Sequence, residues 1–308
     1  MSTDAGVRHT VLRGLALNRT PGYHFTGHFL SVSHDHVSIE TARTSMKVGP
    51  HCAEADGSIN YGALSVFADL SMAANVRAGH DLATRLATVN MNMNFTGAPI
   101  TGRIEATTSL QGYLVGTSGR QAGAVITVRA NEQPVCFGTG AFMVLDPRKG
   151  QTLHARQLRR EQDADVAPLE ERELAGDERE ILQRADEALA AKDGGAFIRH
   201  FWGIDTQSLA DGAAGQLKNG PQVSNRVGHV QGGVTIALGL ATAEATLPAD
   251  WMMSAVSAWF IGPCEGRVIE SRSEIVHRGR LTSVVRTAIV GAHSRRAMAM
   301  ITTHTHKA

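Results

Sequence analysis

The stretch Asn225-Arg226-Val227-Gly228-His229-Val230-Gln231-Gly232-Gly233 runs straight into an apolar segment, Val234 to Ala245. Paired glycines lack Cβ atoms, so the backbone can turn tightly there and a ligand can approach it closely. The first N–H groups of the helix that follows have no partners within the helix. Such a helix start suits an oxyanion or a polarised carbonyl. The plainer alternative is a tight turn that Asn225 merely caps. A second copy favours the site: Asn60-Tyr61-Gly62-Ala63-Leu64-Ser65-Val66-Phe67-Ala68-Asp69 has the same layout, with Asp69 nine positions after Asn60. Nine positions after Gln231 stands Leu240, so each stretch keeps a group that the other lacks.

The repetition extends along the chain. After the first stretch come strand-like runs, Leu86 to Phe95, Gly102 to Val115, Gln121 to Arg129 and Val135 to Leu145, divided by loops rich in Gly, Pro, Ser and Asn. After the second come Met252 to Ile261, Gly266 to His277, Leu281 to Val290 and Arg296 to His304. Matched positions are offset by 171 at the helix starts (Asn60 against Gln231) and by 160 at Arg120 against Arg280, as loop deletions in a duplicated unit would leave them. The expected organisation is an N-terminal domain over residues 1–147, a polar linker over 148–177 with a surface helix, and a C-terminal domain over 178–308. Each domain is α+β, an antiparallel sheet wrapped around one long buried helix. Val32 to Val48 reads as a half-buried strand or hairpin, Val11 to Leu17 as a short helix, Glu178 to Lys192 as an amphipathic helix, Phe201 to Ala210 as a strand and Gly212 to Asn225 as a turn.

Composition narrows the partners. The chain has 308 residues, 43% of them hydrophobic and 19% charged, with a net charge of +1. That leaves no electrostatic case for nucleic acid or an anionic membrane. Three cysteines, Cys52, Cys136 and Cys264, without CxxC spacing suit free thiols in a reducing compartment. No basic segment leads into an apolar run at the N-terminus, and a cytoplasmic protein is expected.

The sequence Asn, then Gln six residues later, then Gly-Gly and a hydrophobic helix resembles the active-site signature of hotdog-fold acyl-CoA thioesterases of the phenylacetate-pathway and 4-hydroxybenzoyl-CoA types. In that family the Gln231 position is usually His, and the acid lies nine residues beyond it, where this chain has Leu240. The resemblance implies a double hotdog, in which two tandem hotdog domains build internally the dimer across which the family forms its sites. A residue nine positions into a helix lies about 13 Å from its start, so Asp69 needs a neighbouring antiparallel helix to supply the carbonyl cradle. One composite site then survives: Asn225, Gln231 and Gly232 with Asp69. Its counterpart would hold Glu54, Asn60 and Tyr61 with Leu240, lacking the acid and carrying a ring where the substrate should enter. Thr88, seven residues before Phe95, resembles the hydroxyl with which the family orients its hydrolytic water; Met253 stands at the equivalent place before Phe260.

The function this implies is hydrolysis of acyl-CoA thioesters, without a cofactor or metal. Gly232 N–H and Asn225 would polarise the carbonyl, with Asp69 acting as nucleophile or as general base through a water on Thr88. Desolvation by its apolar helix should strengthen Asp69 as a base. Gln231 could substitute for the family's His in shaping the loop. Arg120, Arg278 and Arg280 are candidates for the phosphates of coenzyme A, against the alternative of ordinary surface arginines. Further association into a homo-oligomer is expected. Competing functions are a non-catalytic acyl-CoA-binding protein and, on the faint likeness of Gly27-His28-Phe29, a hotdog hydratase or dehydratase. Glu244, four residues past Leu240, is a weaker candidate for a displaced acid. The pairs His34/His36 and His304/His306, each two apart on a strand, lack a third metal ligand in register and are expected to be solvated.

Overall fold

The computed structural model describes residues 3–20, 24–80, 84–116, 118, 120–146, 166–191 and 195–307. Most of the expected linker, 148–165, lies outside these residues, as do Gly119 and Gly194. Two helices grow from the two glycine-bearing stretches: α3 (Tyr61–Ala78) and α6 (Gly232–Glu244). Every residue of α3 from Gly62 to Arg77 is buried, as is every residue of α6 from Gly233 to Ala243. Helices apolar around their whole circumference require cover on all sides, and sheet and partner helix together provide it.

The first half runs α1 (Thr3–Asn18), α2 (Phe25–Phe29), β1 (Ser33–Val37), β2 (Thr41–Lys47), α3, β3 (Arg85–Phe95), β4 (Arg103–Tyr113), β5 (Gln121–Ala130) and β6 (Gln133–Leu145). The second runs α4 (Gly176–Ala190), α5 (Phe197–Phe201), β7 (Ile204–Leu209), β8 (Gly212–Lys218), α6, β9 (Trp251–Phe260), β10 (Val268–Arg278), β11 (Thr282–Val290) and β12 (Arg296–His306). Among the described residues twelve strands form one sheet in the order β1-β2-β4-β5-β6-β3-β9-β12-β11-β10-β8-β7, a palindrome centred on the β3–β9 pair. There Asn92 lies opposite Ser257, with Asn90 opposite Trp259 and Asn94 opposite Ala255. The last two pairs exchange under the internal repeat, so the pseudo-two-fold axis passes between Asn92 and Ser257.

The same axis relates the two long helices. A Cβ on Gly62 would fall 2.5 Å from the Ala237 Cβ, and one on Gly233 would fall 2.5 Å from the Val66 Cα. Gly62 and Gly233 occupy equivalent places near the two helix starts, and each lets its helix press against the middle of the other. This reciprocal contact requires the antiparallel arrangement that the separated acid and cradle demand. Arg8 on α1 pairs with Asp186 on α4 at 2.9 Å, and Arg19 pairs with Glu178 at 2.8 Å, adding surface ties across the halves.

Several local expectations need correction. Residues 212–218, expected to be a turn, form strand β8 between β7 and β10. Its small residues mark a close approach instead: a Cβ on Gly215 would lie 2.4 Å from Thr242 Oγ1 and 2.6 Å from Ser271 Oγ. Phe201 ends helix α5 where a strand was expected to begin, and α1 is 16 residues long. His34 and His304, expected to be solvated, are 5% and 1% exposed, because their strand positions face inward. Among the described residues no helix is long and apolar enough to cross a membrane.

Candidate active site

Asp69 sits in the middle of α3, 7% exposed, on the side facing the start of α6. Gln231 is the N-cap of α6, and its side chain does two things at once. Its Oε1 accepts from the Val234 N–H at 3.0 Å, while its Nε2 donates to Asp69 Oδ2 at 2.6 Å. Thr88, on β3, donates its hydroxyl to Asp69 Oδ1 at 2.7 Å. Oδ1 and Oδ2 thus each accept a short hydrogen bond from a neutral donor, an arrangement that fixes the plane of the group.

Gly232 closes the constellation. A Cβ there would lie 3.5 Å from Asp69 Oδ2, from Thr88 Oγ1 and from the Phe260 ring, so the missing side chain leaves space directly over the carboxylate. As the first residue of α6, Gly232 has an N–H without an intrahelical acceptor, at the positive end of the helix. Asn225 shapes the loop before it: its Oδ1 accepts from the Val227 and His229 N–H groups at 3.0 and 3.2 Å. The capping alternative is therefore realised, and the amide's remaining hydrogen-bonding capacity lies in its Nδ2 donors.

Asp69, Thr88, Asn225, Gln231 and Gly232 all line one cavity of about 530 Å³. Arg120, Arg278 and Arg280 do not line it. Arg120 pairs with Asp146 at 3.0 Å, and Arg278 lies 5.6 Å over the ring of Trp251, in the other half. The cavity instead presents Arg77, Arg85 and Arg226, which the motif comparison passed over. Arg77 carried a legible signal, because it stands eight residues after Asp69 on the same helix and so shares its face.

The pseudo-equivalent place is built differently. Asn60 caps α3 through the Gly62 and Ala63 N–H groups at 2.8 and 3.2 Å, and its Nδ2 donates to Glu54. The Tyr61 ring stacks on Phe95 at 4.3 Å, filling the space that Gly232 leaves open beside Phe260. Leu240 and Met253, standing where Asp69 and Thr88 stand in the first half, are buried. Glu244 lines a separate cavity with Arg199, Trp251 and His304, and does not line the one that holds Asp69. The residue as a whole is exposed, while desolvation of its carboxyl by the surrounding protein pushes that group up to about 7.

Residues 221–304 match the family described as acyl-CoA thioesterase N-terminal domain. No curated protein is significantly similar to the chain in sequence. Solved structures of the same fold include a putative thioesterase II from Thermobifida fusca, 13% identical over 91% of this chain and 96% of its own, with a TM-score of 0.57. The tesB protein of Mycobacterium avium subspecies paratuberculosis is 10% identical over 91% of this chain and 97% of its own, at 0.55. A putative thioesterase from Novosphingobium aromaticivorans is 14% identical over 90% and 99%, at 0.53. Along most of its length the chain thus shares the fold of these solved structures, and residues 221–304 match an acyl-CoA thioesterase domain.

Proposed function

We propose that the chain hydrolyses acyl-CoA thioesters to the free acid and coenzyme A at one composite site, with Asp69 as general base. The observation that carries this is the convergence of Asp69, Thr88 and Gln231 on the open space above Gly232. The thioester carbonyl lies at the start of α6, accepting from the Gly232 N–H and from Asn225 Nδ2, so that charge developing on oxygen meets fixed donors. A water placed between Asp69 and Thr88 gives one proton to Asp69 as its oxygen bonds the carbonyl carbon. The tetrahedral intermediate then breaks the C–S bond, and the coenzyme A thiolate leaves with the proton that Asp69 had taken, which restores the base. Thr88 spends its hydroxyl hydrogen on Asp69, which leaves its oxygen lone pairs to accept from the water. Asp69 is held by a donor on each oxygen, which favours proton transfer over direct attack to form an anhydride.

Thiol release from a panel of acyl-CoAs tests the reading. Asp69→Asn keeps the shape and removes the base, and should lower kcat by about 100- to 10,000-fold. Single turnover in ¹⁸O-water separates the two roles, since an anhydride route alone leaves label in the Asp69 carboxyl. Tight binding of acyl-CoA without turnover in the wild type would mark a binding protein, and hydration of crotonyl-CoA would mark a hydratase.

A further inference from the structure

We infer that a second cavity, in the second half of the chain, binds a small zwitterion, an amino acid with an apolar side chain, through Arg199 and Glu244. The inference goes beyond the thioesterase reading and does not depend on it. The cavity has a volume of about 300 Å³. Its lining corresponds, under the internal repeat, to an apolar part of the cavity that holds Asp69. The offset of 171 at the helix starts pairs Leu70 and Ala73 with Ala241 and Glu244. Because Thr88 pairs with Met253, Leu86 pairs with Trp251 two residues earlier. Phe142 lies opposite Thr88 in the β3–β6 ladder and His304 opposite Met253 in the β9–β12 ladder, so these two also correspond. The first residue of each pair lines the Asp69 cavity, and the second lines the smaller one. Helices α2 and α5 match as well, Phe25 and Phe29 with Phe197 and Phe201, which sets Arg199 where the first half has Gly27.

A wall that is apolar in one half therefore carries a cation, an acid and an imidazole in the other. Loss of a catalytic role does not by itself produce this, since Leu240 and Met253 show buried apolar side chains where the acid and the hydroxyl would stand. Arg199 donates through Nη2 to the Thr206 hydroxyl at 3.0 Å, and among the described residues neither Arg199 nor Glu244 forms an ion pair. Each feels the other's charge without touching it. A ligand that brings an anion to the guanidinium and a cation to the carboxylate makes two charge-assisted pairs, whereas a singly charged one leaves the other group unmatched. His304, 1% exposed, has one hydrogen bond, from Nε2 to the Thr302 hydroxyl, so its Nδ1 remains for the ligand. A neutral ring that donates through Nε2 offers Nδ1 as an acceptor for an ammonium. Leu247, Pro248 and Trp251 supply apolar surface for a hydrocarbon side chain. The volume is that of about ten water molecules, which suits a ligand of about ten non-hydrogen atoms and excludes a coenzyme A ester.

The test is titration calorimetry on the full chain at pH 8, above the value of about 7 at which the Glu244 carboxyl ionises. The probes are L-leucine, 3-methylbutylamine, which is leucine without its carboxylate, and 4-methylpentanoate, which is leucine without its ammonium. L-Leucine should bind roughly 10- to 100-fold more tightly than either analogue, the range of a hydrogen bond to a charged group. Arg199→Gln should weaken L-leucine by that factor without weakening the amine. Glu244→Gln should weaken L-leucine without weakening the carboxylate. Glu244 is an exposed residue at the end of α6, so its substitution reads the site even where Arg199→Gln fails to fold. Three results overturn the inference: L-leucine binding no more tightly than both analogues, binding that neither substitution changes, and no binding of L-leucine at millimolar concentrations. Asp69→Asn should leave L-leucine binding as it is, so thiol release and this site are judged separately.

Discussion

Gln231 donates to Asp69 across the two halves of the chain, Nε2 to Oδ2 at 2.6 Å, although 162 residues separate them. Through its other atom, Oε1, the same amide caps α6. The carboxylate and the helix start are therefore held in register by one side chain, with no ionisation of its own. An imidazole at this position would add a titrating group beside the acid, and an amide does not.

Gln231→Glu isolates that contact. A carboxylate can still accept from the Val234 N–H, so the cap survives, but the donor to Asp69 becomes a like charge. Two adjacent carboxylates cannot both ionise freely, and the pair's apparent pKa rises. A base with a raised pKa stays protonated to higher pH. The acid limb of the kcat/KM profile should move upward by about a unit or more. An unmoved limb would show that Asp69 is not the base.

Gly232 and Gly233 are neighbours with opposite requirements. A Cβ on Gly233 meets the Val66 backbone at 2.5 Å, so Gly233→Ala must separate α3 from α6, at a cost of about 1–3 kcal/mol in urea unfolding. A Cβ on Gly232 meets only ordinary contacts at 3.5 Å, and Gly232→Ala should fold with little change in Tm. It occupies the space over Asp69, however, and should lose most activity. Equal effects of the two substitutions on stability would contradict the packing described here.

Much of this geometry is legible in the sequence because duplication turns two weak motifs into one strong comparison. Leu240 opposite Asp69, Met253 opposite Thr88 and Tyr61 opposite Gly232 already single out, without coordinates, the residues that meet around Gly232. What pattern reading misses follows from physical causes. Strand β8 is rich in Gly and Ala because α6 and β10 press on it, and small residues from close packing look like those of a loop. The arginines chosen for coenzyme A rested on matched turns, but the pseudo-two-fold axis sends equivalent turns to opposite ends of the molecule. Arg278 accordingly lies over Trp251 in the second half, while Arg77, on the same helix as Asp69, lines the cavity that holds Asp69.

Acid should destabilise the fold through His304. Burial lowers its pKa from 6.5 to about 4, and its Nε2 is hydrogen-bonded to the Thr302 hydroxyl at 2.9 Å. The unfolded chain binds a proton near pH 6.5 and the folded chain only near 4, so the stability this group contributes is complete above 6.5 and declines as pH falls through that window. The decline is at most about 1.4 kcal/mol per pH unit for one histidine. Urea midpoints measured from pH 7 to 4.5 should fall, and His304→Gln should flatten the slope. An unchanged slope in that variant would place the acid sensitivity elsewhere.

The three thiols should be silent in the native protein. Cys52 and Cys136 are fully buried, and burial pushes both up to about 12; Cys264, 6% exposed, is pushed up to about 11. Thiolate is the reactive form, and its population at pH 8 is then about a thousandth or less at each site. Cys264 also lines the cavity that holds Asp69, so an acyl-CoA bound at the proposed site should protect it further. Ellman's reagent should titrate almost nothing in the folded chain and three thiols after unfolding in guanidinium. Fast reaction of one thiol in the native state, slowed by an acyl-CoA, would identify Cys264 as open to solvent through the cavity and would contradict its burial.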